Sequence, residues 1–119
     1  MNPIGAVEML TISIVSVFTK TPGPRYIREG DFSGELFRNQ ILLPRIKEAI
    51  KKKEKILIDL DGTAGYGTSF LEESFGGLIR EDGLNYSDIL NAIELKSDEE
   101  DYVKDDIYQY LKDADNEKK

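Results

Sequence analysis

At 119 residues, with neither cysteine nor histidine, the chain has room for one hydrophobic core and no means of building a disulfide, a thiol nucleophile, a histidine-centred triad or an ordinary zinc site. Its 23 acidic residues outnumber 16 basic ones, for a formal net charge of -7, which opposes binding to nucleic acid or an anionic membrane surface and suits a basic partner. No cofactor and no metal are expected on these grounds.

Residues 1–6 carry Pro3 and Gly5 without periodicity and read as a loose lead-in. The apolar stretch 9–18 lacks a basic leader, is interrupted by Thr11, Ser13 and Ser16, and is far short of a membrane span, so the expectation is a cytoplasmic protein. Within it Leu10, Ile12 and Ile14 alternate with polar residues and predict a first strand over 8–18, with a bulge where Val15 and Val17 shift the phase. Thr21-Pro22-Gly23-Pro24 ends that strand, and 25–28 is expected as an extended hairpin arm before the turn at Glu29-Gly30-Asp31.

Ser33-Gly34-Glu35 opens a helix whose stripe is Leu36, Phe37, Ile41, Leu42, Ile46, Ala49 and Ile50; Pro44 must kink or restart it. The lysines of 51–55 suit a solvated helix end. Ile56-Leu57-Ile58 then forms a buried central strand that stops near Asp61. After a glycine-rich turn, Ser69 with Glu72 three residues on gives a capping-box start to a second helix. Its apolar side is Phe70, Leu71, Ser74, Phe75, Leu78 and Ile79, and Glu72, Glu73, Gly76 and Arg80 take the other. Gly76 and Gly77 each cost about 1 kcal/mol against alanine in a helix interior, so some close approach must need their smallness.

Residues 84–90 are ambiguous between loop and a single helical turn, and 92–96 reads as a last short strand. Asp98 is expected to cap a final helix with a buried stripe of Val103, Ile107, Tyr110, Leu111 and Ala114, and 115–119 should fray. The sum is a single domain over 1–119 of the α/β (α+β) class: a small mixed sheet of about four strands covered by about three helices.

Three motifs bear on chemistry. Asp59-Leu60-Asp61-Gly62-Thr63 after an apolar strand matches the first motif of the haloacid-dehalogenase phosphatases over five residues, but the chain beyond Thr63 is too short to supply the rest of their site. Gly62 to Ser69 imitates a phosphate-binding loop with Thr68 where the lysine should stand, leaving backbone amides as the only anion donors. The hydroxyl pair Thr68-Ser69 reads either as a cap or as a phosphorylation site, with Glu72 and Glu73 opposing an added phosphate.

Ser33-Gly34-Glu35-Leu36-Phe37-Arg38, with the long run from Gly65-Tyr66-Gly67-Thr68-Ser69 through Phe70, Gly76 and Gly77 to Arg80, resembles the bacterial STAS-like domain family of unknown function. That family is similar in turn to the STAS domains of sulfate transporters and anti-sigma factor antagonists. In the antagonists a strand ending in Asp-Leu leads to a serine pair at a helix start, and a histidine-kinase-like ATPase phosphorylates one serine. Asp59-Leu60 matches the strand end and Thr68-Ser69 the serine pair, while Gly67 stands where those proteins carry Asp and Phe70 where they carry Gly. The resemblance implies a STAS-like fold and a non-enzymatic regulatory module docking through 65–69 and the helix 69–80, with Tyr66, Gly67, Thr68, Ser69, Glu72 and Glu73 as partner-binding or phosphorylation candidates. The rival expectation is a protein that sequesters a phosphate-bearing small molecule or nucleotide on the glycine loop. Strand edges and Tyr102, Tyr108 and Tyr110 allow a homodimer.

Overall fold

The computed structural model describes residues 10–118. Three short strands, β1 (Leu10–Ser13), β2 (Ile56–Asp59) and β3 (Ile93–Lys96), form one parallel sheet in the order β1-β2-β3. The register aligns Ile12 with Ile58 and Leu95, and Ser13 with Asp59 and Lys96. Because side chains alternate along a strand, Ile12, Ile56, Ile58, Ile93 and Leu95 share one buried face, while Thr11 and Glu94 lie exposed and Leu57 half-buried on the other. The α/β expectation therefore holds, with three strands among the described residues in place of about four and a parallel sheet in place of a mixed one.

The first strand is shorter than expected, for a physical reason. Strand alternation ends at Ser13, and the shifted phase of Val15 and Val17 marks a helical turn, α1 (Ile14–Val17), instead of a bulge. The expected hairpin arm at 25–28 is also corrected: Ile27–Glu29 is a 3-10 turn, closed by a bond from the Tyr26 amide to Glu29 Oε1. The start of the predicted strand, 8–9, and the lead-in lie outside the described residues.

Helix α2 spans 34–52 without a break. Ser33 caps it, its Oγ accepting from the Leu36 amide at 3.0 Å, and Lys53 ends it in the left-handed region at φ 57°. Pro44 has no amide for the preceding turn, and the helix widens ahead of it into a π turn, Arg38–Leu42, whose Leu43 amide reaches the Arg38 carbonyl. Helix α3, 68–80, carries a matching π turn at Glu72–Gly76. The two π turns pack on each other, and there the glycine pair finds its reason: a Cβ on Gly77 would strike the Arg38 guanidinium, and one on Gly76 the Glu72 carboxylate.

Residues 86–92 form a true helix, α4 (Tyr86–Ala92), with Asn85 as its cap. The final helix, α5 (Tyr102–Lys118), starts four residues after Asp98 and includes 115–118. Its stripe is Val103, Ile107, Leu111 and Ala114, with Tyr110 partly buried beside them, and it packs along the π turn of α3. None of the five helices is long and apolar enough to cross a membrane, among the described residues.

Candidate functional site

In parallel sheets, sites form beyond the carboxyl ends of the strands, which here are Ser13, Asp59 and Lys96. Asp59 Oδ1 accepts the Asp61 amide at 3.0 Å, folding the chain into a tight turn. Asp61 then serves as a brace between β2 and the segment after β3. Its carboxylate takes Lys96 Nζ at 2.8 Å and the amides of Asp98 and Glu99 at 3.1 and 3.0 Å. Asp98 is thus a donor to this brace and does not cap α5. Hydrogen bonding from Lys96, then from the Glu99 amide, holds the Asp61 carboxyl down to about 2. Such a group is ionised at neutral pH, and its oxygens are committed to the brace between β2 and the segment after β3. Among the described residues, no group of three or more acids is placed to hold a metal ion.

The brace makes a pH prediction. Asp61 is depressed from 3.8 to about 2 in the folded chain, so its stabilisation is complete above 3.8 and is lost as the pH falls toward about 2. Asp61→Asn should lower stability at pH 7 by about 1.5–3 kcal/mol, the usual worth of hydrogen bonds to a charged group. In urea titrations its deficit should shrink steadily between pH 4 and pH 2; an equal deficit at both ends would assign the acid sensitivity to another group.

The glycine loop comes directly after the brace. The Gly62 amide donates to Glu99 Oε1 at 2.6 Å with φ at 92°, and the Ala64 amide donates to the Lys20 carbonyl at 2.8 Å. The bond to Lys20, with Val15 packed over Gly62, seats the loop against α1 and the segment after it, and the bond to Glu99 ties it to the segment after β3. Tyr66 anchors the far side: its hydroxyl donates to the Leu60 carbonyl at 2.7 Å and its ring lies 6.0 Å from that of Phe70. Burial, helped by the charges of Asp59, Asp61 and Glu100, pushes its hydroxyl up to about 12.

Gly67, in extended conformation at φ -75° and ψ 151°, is the residue that caps α3, and it has no side chain to offer. The expected capping box is therefore corrected: Ser69 is the second residue of the helix, and Glu72 turns away from it. Gly67, Thr68 and Ser69 are exposed and Tyr66 is half-buried.

A family model described as a STAS-like domain of unknown function matches residues 33–103, from the cap of α2 to the first turn of α5. The chain belongs to that family. Searches of curated proteins and of solved structures each returned no match.

The STAS-like domain gives Glu72 and Glu73 a different setting from the loop. Glu73 is only 2 % exposed and accepts from Arg38 Nη1 at 2.5 Å, while Arg38 Nη1 also meets the Glu73 carbonyl at 2.7 Å. Arg38 Nε lies 2.9 Å from Asp82 Oδ2, though misaligned for a hydrogen bond. Arg25 and Arg80 both reach Glu72 and Glu73. Burial raises the Glu72 carboxyl, and hydrogen bonds from Arg80 and Arg25 outweigh it, leaving the group below its ordinary value. The structure thus brings Tyr66, Gly67, Thr68 and Ser69 together on one accessible turn and commits Glu72 and Glu73 to ion pairs within the fold. Sequence reasoning misses Arg38, an arginine inside the apolar stripe of α2 whose guanidinium packs on Gly77.

Proposed function

We propose that this domain is a non-catalytic regulatory module that docks on a protein partner through 65–69 and the first turns of α3, and that the partner is a histidine-kinase-like ATPase which phosphorylates Ser69 or Thr68. The observation that carries the reading is the exposed hydroxyl pair at the start of α3, spared from capping by Gly67. Electrostatics support it further. Glu72 and Glu73 are paired with Arg25, Arg38 and Arg80, so the repulsion they would exert on a phosphate at Ser69 is largely compensated within the cluster, and the helix N-terminus favours the added charge. The rival reading, a sequestering site for a phosphate-bearing small molecule, has less in its favour: the Gly62 amide is already taken by a carboxylate, and Asp59, Asp61 and Glu100 put negative charge around Tyr66.

The test is co-expression with a histidine-kinase-like ATPase, followed by co-purification and phosphopeptide mapping. Phosphate should appear on the peptide containing Thr68 and Ser69. Ser69→Glu should weaken the complex at least tenfold, about 1.4 kcal/mol, with an unchanged melting temperature. Wild-type affinity for both Ser69→Glu and Tyr66→Ala would end the docking reading.

A further inference from the structure

Of the three arginines paired with Glu72 and Glu73, Arg25 is the one those acids can spare. Glu72 keeps Arg80 without it, through Arg80 Nη1 on Oε2 at 2.5 Å and Arg80 Nη2 on Oε1 at 3.1 Å. Glu73 keeps Arg38 and Arg80. Arg25 is also the arginine within reach of the start of α3. Ser69 precedes Glu72 by three residues and Glu73 by four, the spacings that set helical side chains beside each other with Cβ atoms about 5–6 Å apart. The Arg25 guanidinium bonds Glu72 Oε1 and, at 3.2 Å, Glu73 Oε1, so it lies within a turn of Ser69. Arg80 follows Ser69 by eleven residues, about 16 Å along the axis, and Arg38 is buried against Gly77. Thr68 stands four residues from Glu72 but five from Glu73, so it is turned away from the second acid that holds Arg25. The backbone fixes Arg25 where it is. Its carbonyl and that of Pro24 accept from the amides of Glu35 and Gly34 at 3.0 and 2.9 Å, at the start of α2, where a Cβ on Gly34 would meet the Phe70 carbonyl.

We infer that Arg25 receives a phosphate on Ser69, exchanging its bonds to Glu72 and Glu73 for the phosphate oxygens, and that this makes Ser69, in preference to Thr68, the residue whose modification the fold reads. This rests on the phosphorylation proposed above. Transfer from the nucleoside triphosphate of the ATPase joins Ser69 Oγ to the γ-phosphorus, breaks that phosphorus's bond to the oxygen bridging it to the β-phosphate, and releases the hydroxyl proton. The side chain thereby gains about -1.5 to -2 charges beside two carboxylates. Before transfer, Arg25, Arg38 and Arg80 are paired with Glu72, Glu73 and Asp82. After it, the phosphate is the densest negative charge on this face, and a guanidinium can bond two of its oxygens at once. The exchange ties the start of α3 to the segment that carries the start of α2.

The test uses the full chain with phosphoserine incorporated at 69 during translation, which needs no kinase, and a second chain with phosphoserine in place of Thr68. Phosphorus-31 NMR follows the second ionisation of each phosphate, ordinarily about 6. At 69 its midpoint should lie at least about 0.5 pH unit below that at 68, because an adjacent cation favours the dianion. Arg25→Gln should erase that difference and Arg25→Lys recover part of it. Arg28→Gln, which removes the other cation over the Tyr26 ring, should leave it in place. In nitrogen-15 spectra the Arg25 Nε–H signal should move with the phosphate's titration while that of Arg80 stays. Melting curves of the unphosphorylated variants separate loss of the contact from loss of fold, and Arg25→Lys keeps a cation against Glu72 should Arg25→Gln unfold. Equal midpoints at 68 and 69, a midpoint unmoved by Arg25→Gln, or an Arg25 signal blind to the titration would each overturn the inference. Failure of the ATPase to phosphorylate the chain would overturn the reading above instead, with the incorporated phosphate still reporting on Arg25.

Discussion

Glu73→Ala is expected to cost about 3–5 kcal/mol, because it leaves the Arg38 guanidinium buried without its principal counter-charge. For a domain of this size, with total stability on the order of 5–15 kcal/mol, that change alone brings the folded state close to its limit. The geometry explains why the loss cannot be relieved locally. Arg38 is 4 % exposed and its guanidinium lies over Gly77, so it has no path to water without parting α2 from α3. Asp82 is the remaining acid within reach, at 2.9 Å from Nε but poorly aligned. Arg38→Met should be milder than Glu73→Ala, since Glu73 keeps contacts with Arg25 and Arg80 at 3.2 Å. The double variant Arg38→Met, Glu73→Ala should fall short of the sum of the two singles by about 1–3 kcal/mol, the usual coupling within one ion network. Urea titration of the four proteins measures this directly. Additive losses would mean that the pair is not the unit on which the contact between the helices depends.

That network also shows where sequence reading stops. A charged residue inside an apolar stripe is ordinarily placed at the surface, so periodicity does not single out Arg38, and it sets Glu73 on the exposed face of α3. Burial of a charge depends on the partner helix, which a single helix's periodicity does not contain. The interruptions are nonetheless visible: Pro44 and the pair Gly76-Gly77 signal departures from a regular helix, though not that each is met by a π turn. Strands are legible where apolar residues run uninterrupted, as at Ile56 to Ile58, and at 93–96, where Ile93 and Leu95 alternate with charged residues. The end of β1 is harder, because Val15 and Val17 suit a strand by type and only their phase announces a helical turn. At the candidate site, the glycines and hydroxyls of 65–69 are enough to announce an accessible turn. The cap is not legible, since Gly67 in extended conformation displaces the better capping side chain by two positions. The braced Asp61 is hidden for a similar reason: its partners, Lys96 and the amides of Asp98 and Glu99, lie more than thirty residues away.

Phe70→Ala is the second large effect, and it joins stability to the order of the turn at 65–69. Phe70 is fully buried, stacked on Phe37 at 5.9 Å and flanked by Phe18 and Tyr66, while its carbonyl receives Ser74 Oγ at 2.7 Å. Removing the ring should cost about 3–5 kcal/mol, from lost transfer energy and from a cavity that three aromatic neighbours cannot easily fill. Collapse is further limited because α2 already approaches closely: a Cβ at Gly34 would come within 2.5 Å of the Phe70 carbonyl. Part of the loss should be local. Tyr66 keeps its bond to the Leu60 carbonyl but loses the ring that fixes its plane, so the turn carrying Thr68 and Ser69 is held from one side only. Below the unfolding range, amide hydrogen exchange in 64–69 should therefore quicken by more than the global destabilisation requires, while the amides of β2 keep pace with it. Phe70→Leu, which fills most of the cavity, should recover more than half of the stability yet leave the loop amides faster than in the parent chain. If Phe70→Leu restores stability and loop protection to the same degree, the turn takes its order from bulk alone. If protection lags behind stability, the aromatic contact with Tyr66 sets the geometry of the turn that presents Ser69.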